Sequence, residues 1–203
     1  QSVYNVKEGD VFWAASDVGW VVGHSFIVYG PLINRNTSIL FEGKPIKTPD
    51  ASTFWRIIDE HKVNTMFTAP TAIRAIKKED PEGDFIKKYD LSSLKTQFLA
   101  GERCDIATLE WYTKHIPIPA IDHWWQTESG WPMIATMMGV EFFPIKPGSV
   151  GKAVCGYNIK IFNEEGNHPE LFENKYNQMK GYTTVNNSRF IHMNALSKDN
   201  RPT

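Results

Sequence analysis

Short runs of β-forming residues alternate with amphipathic helical stretches along most of the chain, and this alternation limits the fold more than any other feature. Val11 to Ser16 (VFWAAS), Thr37 to Gly43 (TSILFEG), Val63 to Pro70 (VNTMFTAP), Leu94 to Glu102 (LKTQFLAGE) and Ile118 to Asp122 (IPAID) read as strands. Between them, Phe26, Ile27, Tyr29, Leu32 and Ile33 predict a mostly apolar, buried helix. Asp50 or Ser52 caps a second helix, with Phe54, Ile57, Ile58 and His61 at i, i+3, i+4 and i+7. Pro70 either stops a strand or starts a short amphipathic helix over Thr71 to Lys78. Asp105 to His115 forms another helix, with Ile106, Leu109 and Tyr112 on one face. The expected class is α/β, a mostly parallel sheet with flanking helices, whose ligands sit beyond the carboxyl ends of the strands.

Past Ile121 the pattern thins. Val150 to Asn167 holds two β-type runs, and Ile159-Lys160-Ile161-Phe162 alternates. Beyond Asn167, and above all from Tyr182 to Thr203, Asn, Ser, Thr, Lys and Arg dominate, which predicts a poorly ordered C-terminus. The 203 residues suit one domain or one and a half. A net charge of -1 argues against nucleic acid or an anionic membrane as the main partner, because both demand a basic surface. No apolar run is long enough to span a bilayer. Gln1-Ser2-Val3-Tyr4 lacks the basic and apolar regions of a signal peptide and an initiator Met, so the chain reads as intracellular and as processed or cut from something longer. Cys104 and Cys155 read as two buried, reduced thiols.

Two segments follow a predicted strand directly: Gly101-Glu102, and Ile121 to Trp131 (IDHWWQTESGW). In the second, Glu128 suits a hard cation such as magnesium, which takes oxygen ligands. Thr127 can donate to a phosphate oxygen, and Trp124 or Trp125 can close a small apolar cavity. The competing reading, two core tryptophans beside a surface glutamate, is evenly balanced on chemistry alone. Gly101-Glu102 taken alone is better read as a turn. His24 suits a structural histidine better than a catalytic base. The sequence contains no G-x-S-x-G, H-E-x-x-H, C-x-x-C or G-x-x-x-x-G-K-[ST]. Glu102 and Glu128 would make a glycosidase pair only at a separation the sequence does not define.

Taken together, these motifs resemble the adenylate-forming acyl-CoA synthetases. DHWWQTESG (Asp122 to Gly130) is similar to their D-x-W-W-Q-T-E-[ST]-G, and ASDVGWVVGHSFIVYGPL (Ala15 to Leu32) to their D-[VL]-G-W-V-x-G-H-S-Y segment. FTAPTAIRAI (Phe67 to Ile76) and GERCDIATLEWY (Gly101 to Tyr112) occur in the same order. FWAASD, ILFEGKP and FLAGERCD resemble the propionate-preferring branch. The resemblance spans roughly residues 1 to 164. It implies a partial AMP-binding domain, the large N-terminal domain of an adenylate-forming enzyme, followed by a divergent segment over 165–203.

The resemblance also implies chemistry. Such an enzyme activates a short-chain carboxylic acid, propionate or acetate, with ATP and magnesium, then passes the acyl group to coenzyme A. Gly101, Glu102 and Arg103 match the stretch lying against adenine, with Arg103 where the acetate enzymes carry Pro. Asp122, His123, Trp124, Trp125, Gln126 and Thr127 match the nucleotide-binding segment, with Thr127 near the phosphate and the acyl carboxylate, and Thr127 and Glu128 as the catalytic pair. Glu128 matches the magnesium-associated carboxylate. Val21, Val22, Ala100 and Trp125 match the acyl pocket, Trp125 as its floor; Val22 and Ala69 match coenzyme A contacts. Acetate enzymes carry Thr and Val where this chain has Val22 and Ala100, leaving room for about one more carbon, worth ~1–3 kcal/mol of discrimination. The mitochondrial matrix and the cytoplasm are the compartments implied.

The family's phosphate-holding lysine loop and its small C-terminal domain do not match any part of these residues, and Thr183 to Phe190 (TTVNNSRF) stands where a ribose-binding Asp is expected. If complete as given, the chain alone is therefore expected to make no thioester. The competing class is a truncated, non-catalytic nucleotide-binding or interaction protein.

Overall fold

The structure, a computed structural model, describes residues 1–142, 144–162 and 190–195. Five of the predicted runs become strands of one parallel sheet: β1 (Val11–Ala14), β2 (Thr37–Ser38), β3 (Thr65–Thr68), β4 (Thr96–Leu99) and β5 (Ala120–Asp122). Their order is β2-β1-β3-β4-β5. Strands this short hold because both faces are covered, and every residue of β3 and β4 is buried.

Register lays the side chains in rows. Trp13, Met66, Gln97 and Ala120 are paired neighbours on one face, and Ala14, Phe67, Phe98 and Ile121 form the adjacent row on the other. The first face packs against α2 (Thr53–His61), α3 (Pro70–Glu79) and α4 (Ile106–His115), through Trp55, Ile58, Ile73, Ile76, Leu109 and Tyr112. Gln97, the polar member of its row, accepts the Tyr112 hydroxyl at 3.1 Å. The second face is covered by Val3, Tyr4 and Val6, by a π-helical segment over Gly23–Val28, and by Ala135 and Val154 near a small antiparallel pair, β6 (Ile134–Ala135) and β7 (Lys152–Ala153).

Helix ends follow local chemistry. The Asp105 carboxylate accepts the Thr108 backbone N–H at 2.9 Å and so caps α4. Pro70 opens α3, where a missing N–H costs nothing. Lys62 closes α2 in the left-handed region, φ 50°. Ser52 makes no side-chain cap; instead Asp50 accepts the Ser52 N–H at 2.8 Å in the preceding turn.

Five expectations change. The run from Thr37 pairs with β1 for two residues only, Thr37 and Ser38, then leaves the sheet. The helix after Gly23 is not buried throughout: Phe26 and Ile27 face the sheet, but α1 (Tyr29–Ile33) turns outward and leaves Ile33 82 % exposed. His61, Ile106 and Cys155 are exposed, the first two at helix ends rather than over the sheet and Cys155 in the turn after β7. In the divergent tail, Phe190–Ala195 forms β9, antiparallel to β8 (Tyr157–Phe162). The rest of the segment after Asn167 lies outside the described residues. Among the described residues no helix is long and apolar enough to cross a membrane.

Candidate active site

The loops leaving β4 and β5 meet at the carboxyl edge of the sheet. After β4, Gly101 takes φ 101°, a conformation strained for any L side chain, and turns the chain into Glu102 and Arg103. Arg74 of α3 holds this loop from outside, donating to Glu102 and, at 3.1 Å, to Asp105. From inside, the Cys104 backbone N–H donates to the Asp122 carboxylate at 3.0 Å. Burial pushes the Cys104 thiol up to about 12, so it is no nucleophile at neutral pH.

After β5, the His123 backbone N–H donates to the Leu99 carbonyl at 3.0 Å, so the second loop leaves the sheet beside the first. The His123 ring is buried between two partners: Nδ1 lies 2.7 Å from the Leu99 carbonyl oxygen and Nε2 2.8 Å from the Tyr4 hydroxyl. A carbonyl only accepts, so Nδ1 carries the proton and Nε2 accepts from Tyr4. Burial holds the ring neutral and lowers its pKa to about 4. Burial likewise raises the Asp122 carboxyl to about 6, against the pull of the Cys104 and His123 N–H groups and the Arg103 charge.

Between the loops lies a cleft of about 290 Å³, lined by Gly101, Glu102, Arg103, Asp122, His123, Trp124, Trp125, Gly148 and Val150. The structure thus brings both strand-end segments onto one cavity. Its place is the carboxyl edge of β4 and β5, two strands beyond the β1/β3 reversal where doubly wound sheets often bind ligands.

Gln126, Thr127 and Glu128 do not line it. They are exposed on a turn closed by Ser129, whose hydroxyl accepts the Gln126 N–H at 3.1 Å and donates to the Trp131 carbonyl at 2.9 Å. Val22 and Ala100 share one apolar cluster with Trp125, and Val21 is half-buried next to Val22 in the chain. Ala69, the residue before α3, lies outside the cleft lining. His24 is exposed and stacks on Tyr29 at 5.9 Å, neither buried nor near the cleft lining.

Sequence reasoning did not single out Gly148, Val150, Arg74 or Tyr4. The first two sit in Gly148-Ser149-Val150-Gly151, where glycine punctuation is the visible signal; Gly148 has φ 78°, and a side chain there would meet Arg103 Nη2 at 3.0 Å. Arg74 and Tyr4 carry no local signal, since their partners stand far away in sequence. Because Arg74 and its partners are partly exposed, Arg74→Ala is expected to cost under ~1 kcal/mol in denaturant unfolding. Faster amide exchange at Glu102 and Arg103 is expected with it, and unchanged exchange there would show that the ion pairs do not hold the loop.

Comparison with known proteins shows the family. A family described as "AMP-binding enzyme" matches residues 1–183. The chain belongs to the AMP-binding enzyme family. Its relatives include the mitochondrial acyl-CoA synthetase short-chain family member 3 of Bos taurus, 53% identical over 164 residues, covering 80% of this chain and 24% of that protein. A propionate–CoA ligase of Escherichia coli is 45% identical over 168 residues, covering 83% and 26%. Among solved structures, a Brucella canis acyl-CoA synthetase superposes with a TM-score of 0.71 at 28% identity, covering 82% of this chain and 29% of that one. This AMP-binding chain therefore spans about a quarter of the length of the curated relatives it matches.

Proposed function

We propose that the chain supplies the nucleotide- and acyl-binding core of a short-chain acid–thiol ligase, activating propionate, or less readily acetate, with ATP and passing the acyl group to coenzyme A. The observation that carries this reading is the convergence of Gly101-Glu102-Arg103 and Asp122 to Trp125 on one cleft, with Trp125 also packed into the apolar cluster of Val22 and Ala100. A polar cleft and an apolar cluster sharing one indole wall suit a ligand that is nucleotide at one end and short acyl chain at the other.

A carboxylate is a poor electrophile, so the acid needs a better leaving group. Its oxygen attacks the α-phosphorus of ATP, the bond to pyrophosphate breaks, and acyl-AMP forms. The coenzyme A sulfur then attacks the acyl carbonyl carbon, losing its proton, and AMP leaves. Such chemistry asks the protein for placement and charge stabilisation rather than covalent help. In this reading Gly101, Glu102 and Arg103 flank the adenine, Asp122 to Trp125 wall the nucleotide, and Gln126 meets it from the exposed turn beyond the cleft lining. Thr127 meets the phosphate and acyl carboxylate. Val21, Val22, Ala100 and Trp125 bound the acyl chain, while Val22 and Ala69 meet coenzyme A. The reaction belongs inside the cell, where ATP and coenzyme A are held.

Magnesium fits this donor set in one way. Among the described residues no group of three or more His, Cys, Asp or Glu side chains converges, and Glu128 is exposed. A single carboxylate suits an ion that arrives on the ATP phosphates and keeps several waters. Bound there, it would neutralise phosphate charge.

Alkyl esters of AMP, stable stand-ins for acyl-AMP, test the acyl wall. The chain is expected to bind the propyl ester about tenfold or more tighter than the butyl ester, since one methylene against a closed wall is worth ~1–3 kcal/mol. Trp125→Gly is expected to reverse that order. An unmoved length profile in Trp125→Gly would show that Trp125 is not the wall.

A further inference from the structure

One aromatic side chain behind the cleft has no role in the reading above. Phe26 is 2 % exposed and does not line the cavity. Its ring meets Trp125 edge-on, centroids 5.0 Å apart at 75°, and stacks on Trp131 at 5.6 Å and 21°. Tyr4 and Phe67 close the other sides at 5.6 Å and 5.2 Å, both edge-on. Trp125 itself is half-buried, with one part of its indole on the cleft and another against Phe26 and, at 6.4 Å, Phe67. Packing against Phe26 and Phe67 places the inner part of that ring.

The segment carrying Phe26 is unusual and firmly seated. Gly23–Val28 is π-helical, a rare geometry found disproportionately at functional sites. A side chain at Gly23 would lie 2.0 Å from the Val18 carbonyl oxygen, so the segment can press against the preceding loop only because residue 23 is glycine. On the other side the Ser38 hydroxyl donates to the Ile27 carbonyl. Ser25 in the same segment faces the turn after Trp125: a Cβ at Gly130 would stand 3.8 Å from its hydroxyl oxygen.

We propose that Phe26 is a positioning residue for chain length: held by the π-helical segment, it sets how far the Trp125 indole stands into the cleft, and so how long an acyl chain the site admits. This rests on the reading of Trp125 as the acyl wall. Shortening residue 26 lets the indole retreat toward the vacated space and deepens the pocket without altering any residue that lines it.

The experiment measures the butyl-to-propyl ratio of Kd for the AMP alkyl esters in the chain and in Phe26→Leu, Phe26→Tyr and Phe26→Leu/Trp125→Gly. Phe26→Leu is expected to lower the ratio about tenfold, the size of one methylene. Phe26→Tyr keeps the ring and is expected to keep the ratio. In the double variant the Leu change is expected to add nothing to Trp125→Gly, because both act through one indole. If Phe26→Leu does not fold, Phe26→Met, with an unbranched side chain that adapts to an irregular gap, reads the same ratio. A ratio within twofold of the parent in a folded Leu or Met variant overturns the role of Phe26 and leaves the proposed function standing. An additive double variant also overturns it. Absence of ester binding by the parent chain overturns the proposed function and this role together.

Discussion

Phe98→Ala is expected to cost the chain about 3–5 kcal/mol, a large share of the ~5–15 kcal/mol that holds a typical domain. Phe98 is 0 % exposed and stands in β4 between β3 and β5, in the row that Phe67 and Ile121 complete. Its ring lies 4.4 Å from Tyr4 and 5.4 Å from His123, so truncation removes apolar area and also opens a cavity beside a buried hydrogen-bond network. Collapse is hard there, because the strand is paired on both edges and cannot shift alone. Urea unfolding reads the effect as a lower midpoint at an unchanged slope. Leu32→Ala, on the outward face of α1, serves as the comparison and is expected to stay within ~0.5 kcal/mol. A loss under ~1 kcal/mol for Phe98→Ala would mean that this row is not the packed layer described here.

The second large effect concerns pH. Asp122 has its pKa raised from 3.8 to about 6 and His123 lowered from 6.5 to about 4, each chiefly by burial. A raised group gives stability that is full below its unfolded pKa and lost as pH climbs through the folded one. A lowered group gives stability that is full above its unfolded pKa and lost as pH falls through the folded one. Between about pH 4 and 6 the folded pair holds its proton on Asp122, and the unfolded pair holds it on His123. The counts match, so this pair contributes almost no pH slope to the parent chain. Removing one member exposes the other. Relative to the parent, Asp122→Asn is expected to gain stability as pH rises from about 4 to 6.5, by about 3 kcal/mol in all at ~1.4 kcal/mol per pH unit. His123→Gln is expected to lose a similar amount, about 3 kcal/mol, as pH rises from about 4 to 6. Urea midpoints at half-unit steps of pH read both slopes. Curves parallel to the parent in both variants would show that neither group is perturbed as described.

The strands and helices were legible because their information is local. Phe54, Ile57 and Ile58 announce burial by spacing alone, and Pro70 and Asp105 mark helix starts by their own chemistry. The place of the candidate site was legible for the same reason: Gly101 and Asp122 both end strands, and parallel strands end at one edge. What spacing does not carry is the meeting of distant elements. Tyr4 and His123 stand 119 residues apart, and nothing near either announces the other. Arg74 reaches a loop on another strand, and Phe26 owes its position to a π-helical geometry that a 3.6-residue period does not predict. The outward face of α1 misled for the opposite reason: its apolar residues follow a helical pattern, but the sheet lies on one side only. β9 escaped notice because its apolar pattern is weak and its partner, β8, lies far upstream.

The most direct test of the central claim, that the cleft between the β4 and β5 loops takes an acyl adenylate, is a fluorescence and calorimetric titration of the chain with the propyl ester of AMP. Trp124 and Trp125 line the cleft, so occupation is expected to change tryptophan emission along one saturable curve, displaced by AMP, and to lose that emission change in Trp125→Phe/Trp124→Phe. No saturable binding at millimolar ester, or saturable binding whose tryptophan signal survives the loss of both side chains, would contradict it.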